Sequence, residues 1–138
     1  MLEPTKPVAR PRSGPTVQVS DDRYSATLTN EAGAPIVQLK GTISTQNPAT
    51  LLNPFVDGAH KELCGAAVKH VDIDLRDLEF CNSSGFKSFI YWIQLIQKLP
   101  KPQQYKLRFK VNPQRRWQKT SLLALSCFAV DLTEIVMS

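Results

Sequence analysis

Apolar positions along this chain fall into alternating and helical patterns separated by proline- and glycine-containing breaks. Val17 and Val19 alternate with polar neighbours, and residues 24–28 and 36–40 read as strand segments joined across 30–35 (NEAGAP), a turn by its residue types. A helix follows, from Pro48 or Pro54 to Ala67, with Leu52, Phe55, Val56, Ala59, Leu63 and Ala66 at helical spacing. Residues 70–75 alternate strictly, Val71, Ile73 and Leu75 on one face and Asp72 and Asp74 on the other. A second helix spans 84–98, capped by Asn82 or Ser83, with Phe86, Phe89, Ile90, Ile93 and Ile96 on one face. Pro100 and Pro102 end it, and residues 105–111 alternate again, with Lys106, Arg108 and Lys110 facing away from the apolar set. A third helix from Pro113 to about Leu125 and a short strand over 132–136 complete the pattern. Asn-Pro occurs at 47–48, 53–54 and 112–113, a pair that suits a helix start because Asn caps and proline needs no donor at the first helical position.

The order β-β-α-β-α-β-α-β predicts an α/β fold with parallel crossovers. One-faced strands place the helices mainly on one side of a mixed central sheet of about four to five strands. Residues 1–16, with Pro4, Pro7, Pro11 and Pro15 among basic and small residues, predict a flexible tail ahead of one domain over 17–138. The 138 residues, 42% hydrophobic and 21% charged, suffice for one globular core. No stretch reaches the roughly 18 to 20 apolar residues that cross a bilayer, and residues 1–15 have no signal-peptide core. The expectation is therefore a cytoplasmic protein without membrane insertion. Three cysteines, Cys64, Cys81 and Cys127, predict buried thiols in a reducing compartment and not a disulfide framework.

Charge is distributed unevenly. The net formal charge is +5, and between Glu79 and Asp131 there are nine cations and no acid. Lys106, Arg108 and Lys110 on a strand, with Arg115, Arg116 and Lys119 on the next helix, define a candidate basic surface within residues 98–119, beside Trp117. Such a surface would serve a nucleic acid or another anion.

The segment VDIDLRDLEFCNSSGFKSFI, residues 71–90, resembles the STAS domain family of bacterial anti-sigma-factor antagonists. There a strand ending in aspartate leads through a leucine and an aromatic residue to a Ser-Ser-Gly or Ser-Thr-Gly turn and an apolar helix. The resemblance matches Asp74 to the strand-ending aspartate, Gly85 to the turn glycine, Gly41 to a glycine closing an early strand, and Ser83 to the serine phosphorylated by a partner kinase. Asn82 stands where the family usually has aspartate. The resemblance implies a STAS-like fold and a non-catalytic regulatory module. Its partner would be a serine kinase, an anti-sigma factor or a larger signalling complex, with phosphorylation at Ser83 as the switch. Asn82, Ser84, Gly85, Lys87, Tyr91 and Trp92 are the candidate partner-binding residues. The alternatives are a constitutive STAS scaffold subunit and the nucleic-acid or anion binder.

The turn has its own physics: free N–H groups and the helix dipole at a helix start favour an added anion. Other chemistry has little support in the residues. His60, Cys64 and His70 lack metal-ligand spacing, Asp72, Asp74 and Asp77 read as solvated acids on an open sheet face, and Ser83 lacks a G-x-S-x-G frame. No Gly-rich phosphate loop is present, so neither a cofactor, a metal nor catalysis is expected.

Overall fold

The computed structural model describes residues 17–31 and 33–137, so the expected tail over 1–16 lies outside the described residues. The elements are β1 (Val17–Ser20), β2 (Tyr24–Glu31), β3 (Ala34–Ile43), α1 (Ala49–Gly65), β4 (His70–Asp74), β5 (Leu78–Cys81), α2 (Ser83–Gln97), β6 (Lys106–Val111), α3 (Arg116–Phe128) and β7 (Thr133–Met137), with a 3-10 turn at Lys101–Gln103. They form one seven-stranded mixed sheet in the order β1-β2-β3-β4-β6-β7, with β5 also paired to β3. The pairs β1–β2 and β2–β3 are antiparallel, and β3–β4, β4–β6 and β6–β7 are parallel.

The strand count exceeds the four to five expected. The NEAGAP segment is a tight turn flanked by strand, since Asn30 pairs Pro35 and Glu31 pairs Ala34. β5 escaped detection because its pattern is not alternating: Leu78 and Cys81 are buried while Glu79 and Phe80 between them are exposed. It pairs with β3 where β4 has ended, so that β3 serves β4 through Ile36–Gln38 and β5 through Gly41–Ile43. The register shifts between Gly41 and Thr42, and Gly41 sits at φ +94°. A Cβ there would lie 2.1 Å from the Arg23 carbonyl oxygen, so this strand accepts no side chain at the shift.

The core follows the alternation. Leu28, Val37, Leu39, Val71, Ile73, Leu107 and Phe109 lie on the helix-covered face and are at most 2% exposed. The opposite face carries Thr27, Gln38, Asp72 and Arg108, with cross-strand partners Asp72, Arg108 and Glu134 side by side on β4, β6 and β7. Arg108 pairs with Asp72 at 3.4 Å and Glu134 at 3.8 Å, and Lys110 reaches Asp72 at 3.4 Å.

None of the three Asn-Pro pairs acts as a side-chain cap followed by proline. Pro48 itself is the N-cap of α1 without a side-chain bond, and Pro54 lies inside the helix at the loss of one ladder bond. Asn53 instead accepts the Ser88 hydroxyl at 2.8 Å, tying α1 to α2. Asn112 accepts the N–H of Gln114 on its side chain and that of Arg115 on its carbonyl, a turn that delays α3 to Arg116. The thiols also differ from expectation: Cys81 is buried, but Cys64 and Cys127 are exposed on helix faces turned from the sheet.

Two buried polar groups lock the layers. Gln118, fully buried on α3, accepts the Asn112 N–H at 2.8 Å and donates to the carbonyls of Leu75 (2.6 Å) and Leu78 (2.9 Å), stitching α3 to both ends of the β4–β5 connection. Tyr105 accepts the Trp92 indole N–H at 2.9 Å, and its hydroxyl shares a second hydrogen bond of 2.6 Å with His60 Nδ1, linking α2 and α1 just ahead of β6. Burial holds His60 below its ordinary value of 6.5, outweighing the pull of Asp57 in the other direction.

A group whose folded pKa is depressed in this way leaves the unfolded chain to bind the proton first. Stability due to His60 is complete above about pH 6.5 and is lost as pH falls from there. The urea midpoint is expected to drop between pH 7.5 and 5, with a smaller drop in His60→Gln. An equal drop in both proteins would remove His60 as the cause.

Candidate functional site

The end of β5 turns directly into α2, and the turn is held by Asn82. Its backbone N–H donates to the Ile43 carbonyl at 2.9 Å, which continues the β3–β5 pairing by one residue. Its side chain then works in two directions: Oδ1 accepts the Gly85 N–H at 2.8 Å as the helix N-cap, and Nδ2 donates to the Thr45 carbonyl at 2.9 Å. The amide thereby clamps the start of α2 to the β3–α1 loop. An aspartate could make the first bond and not the second, having no proton to donate at neutral pH. Gly85 is confined by packing: a Cβ would come within 2.6 Å of Cys81 Sγ and 2.9 Å of Ile43 Cγ2. Burial pushes the Cys81 thiol up to about 12, so this sulfur is a packing atom and not a nucleophile.

With Asn82 and Gly85 turned inward, Ser83 is left exposed at the first position of α2. Helix geometry leaves the N–H groups of Ser83 and Ser84 without intrahelical acceptors, and the first turn contains no acidic side chain. Ser83 stands at the mouth of a groove of 280 Å³ between α2 and α3, floored by Phe86, Ile90, Ala124, Leu125 and Phe128. Beside it, Trp117 packs edge-on to Phe86 with ring centres 6.2 Å apart and lies 6.3 Å from the exposed Phe80. On the strand side of the turn, Arg76 grips Asp74 with two nitrogens, at 2.9 and 2.8 Å. That hydrogen-bonded pair holds the Asp74 carboxyl below the usual carboxylate range.

The expected partner-binding residues divide. Ser83 and Lys87 are exposed, and Asn82, Ser84 and Tyr91 are half-buried. Trp92 is fully buried and bonded to Tyr105, and Gly85 is buried, so neither is part of a contact surface. The helix places Trp92 toward the sheet because α2 is covered on two sides, by β-strand residues and by α1. Tyr91 donates its hydroxyl to Asp57 of α1, which holds its pKa above the ordinary value.

The basic residues do not form one free surface. Arg108 and Lys110 are ion-paired to Asp72 on the sheet face, and Arg115 donates to the Arg76 carbonyl at 3.3 Å. Lys106 is exposed near the start of β6, and Arg116 and Lys119 are exposed on α3. Asp74 and Asp72 are likewise engaged and not freely solvated. His60 and Cys64 approach to 3.7 Å, but among the described residues no three His, Cys, Asp or Glu side chains gather as metal ligands would. No described helix is long and apolar enough to cross a membrane.

Sequence reasoning missed the α3 wall of the groove. The signal was available: Leu122, Leu123, Leu125 and Phe128 are more apolar positions than one face of a helix can bury, and Leu123 and Phe128 remain about half exposed at 50% and 47%.

A mixed sheet with three helices on one face and a serine turn opening the second of them defines a STAS-type fold. Among solved structures the chain is similar to an anti-sigma factor antagonist from Mycobacterium paratuberculosis, with a TM-score of 0.52 and 18% identity over 79% of this chain and 85% of that one. The sequence itself matches no family model and no curated protein.

The clamp gives a direct test of the turn. Asn82→Asp is expected to lower stability at pH 7 by about 1–2 kcal/mol, the cost of leaving the Thr45 carbonyl facing an oxygen. The deficit should shrink in acid, where a protonated carboxyl can donate again. Urea titrations at pH 7 and pH 4 measure both values; a variant as stable as wild type at pH 7 would refute the clamp.

Proposed function

We propose that this protein is a regulatory module that docks a protein partner on the Ser83 turn and the adjoining α2–α3 face, and that a phosphate on Ser83 releases or redirects that partner. The observation that carries the reading is the position of Ser83: the one exposed hydroxyl at the α2 start, held by Asn82 at the mouth of an apolar groove. The similarity in fold to an anti-sigma factor antagonist supports a role of this class.

The physical effect of the modification follows from the site. A kinase would transfer the terminal phosphoryl group of ATP to Ser83 Oγ, the hydroxyl proton leaving to the kinase and ADP departing. The product adds about −1.5 to −2 charges. The α2 dipole and the unpaired N–H groups tolerate this charge, so the modification leaves the fold standing. A partner whose apolar side chains fill the groove must then desolvate a dianion at its edge, which weakens the contact. In this reading the protein is the substrate of a kinase and the ligand of a partner, and itself catalyses nothing. The engaged state of Arg108, Lys110 and Arg115 counts against nucleic acid as the main ligand.

Affinity purification from cells of origin, with wild type beside Ser83→Ala and Ser83→Asp and with nuclease treatment, checks the reading. Wild type and Ser83→Ala should retain the same protein, and Ser83→Asp should retain at least about tenfold less. Equal recovery by all three would contradict the switch and favour a constitutive scaffold. Recovery of nuclease-sensitive nucleic acid alone would contradict protein docking.

A further inference from the structure

We infer that the element of the partner seated in the α2–α3 groove is an amphipathic helix carrying acidic residues at the end nearest Ser83. The inference rests on the docking role proposed above and names the chemistry of what docks. Three features of the groove lead to it.

The first is shape. β5 runs parallel to β3 and β6 to β4, and β3 and β4 are themselves parallel, so α2 and α3 both leave the carboxyl ends of their strands in the same direction, and one groove is lined by both. The groove between them begins at Ser83, and Phe128 separates it from a second depression of 390 Å³ that includes Gln97, Lys101 and Val130. On α2 the lining runs from Ser83 to Ile90, about 10 Å or two helical turns. A trough bounded by two helices, with no strand edge lining it, accepts a third helix that sets side chains at i, i+4 and i+7 between the walls.

The second is the apolar floor. Phe86, Ile90, Leu125 and Phe128 offer successive contacts along the trough, and Val130 beyond them is 71% exposed. Phe128 at 47% is also exposed, Phe86 and Ile90 are half-buried and Leu125 is buried beneath them, an apolar concavity of the kind that marks a contact surface.

The third is sign. Lys87, exposed on α2 next to the groove residues Ser83, Phe86 and Ile90, is the cation at its rim, Arg116 and Lys119 on α3 lie outside the lining, and neither helix carries a carboxylate. Both helix N-termini, each a partial positive charge, lie at the Ser83 end. Complementarity therefore asks for acidic groups there. It also disfavours the segment 1–16 as the occupant, since with Lys6, Arg10 and Arg12 against Glu3 that segment is itself basic. The same complementarity explains why a dianion on Ser83 would expel the partner, since it replaces attraction at that end with repulsion.

The test places a photoreactive benzophenone side chain at Ile90 in the groove, at Lys87 on its rim, and at Gln38 on the opposite sheet face as a control, in the full chain expressed in its cells of origin. Phe128 serves as the groove position should the Ile90 variant fail to fold. Ile90 and Lys87 are expected to capture the same protein, with the Ile90 crosslink on the apolar stripe of a helical segment of net negative charge. A synthetic peptide of that segment should bind wild type at least about tenfold more tightly than it binds Lys87→Glu. Capture from Lys87 but from neither groove position leaves the docking role standing and overturns the helix-in-groove assignment. Capture from none of them overturns both. A captured segment that is basic, extended or part of this same chain also overturns the assignment.

Discussion

Strand β3 pairs in parallel with β4 over Ile36–Gln38 and with β5 over Gly41–Ile43, and the β5 ladder shifts register immediately after Gly41. Gly41 pays for this with a left-handed backbone that a side chain could not share, given the Arg23 carbonyl 2.1 Å away. The consequence reaches the serine turn. Because β5 ends against Ile43, Asn82 arrives within reach of the Ile43 and Thr45 carbonyls, and α2 begins there.

From that point, the surface is decided by which side chains the turn consumes. Asn82 spends its amide on the loop and the helix start, Gly85 is pressed against Cys81, and Ser83 is what remains. On the far side, Gln118 fixes α3 to the carbonyls at both ends of the β4–β5 connection, so the two walls of the groove are referenced to the same short segment. The two helices are thus held from one edge of the sheet while the space between them stays open. An interface assembled on such fixed elements presents its charge and shape without an ordering cost at the moment of contact.

Much of the scaffold was legible because its signals were local. The alternation in residues 70–75 and 105–111, and the apolar spacing of 84–98, depend on burial on one side, and each appears as an element within a residue or two. Ser83, Gly41 and Gly85 were singled out by family resemblance; the structure gives the two glycines a steric reason, and Ser83 remains the subject of the proposal. What failed depended on partners distant in sequence. β5 has no alternation of its own and exists through its pairing with β3. Asn53 is engaged by Ser88, far along the chain, and not in capping; Asn112 is the exception, held in a local turn with Gln114 and Arg115. Trp92 lies in the core with its indole N–H on the hydroxyl of Tyr105, just ahead of β6. The cations of β6 looked free in sequence because Asp72, which neutralises two of them, lies on a different strand.

The central claim, that Ser83 is a regulatory phosphorylation site, is tested most directly by mass spectrometry of the intact protein and its peptides isolated from its cells of origin under several growth conditions. The account predicts two forms differing by one phosphate group, carried on Ser83, in proportions that change with condition. Protein that never carries phosphate, or carries it only on another residue, would contradict it.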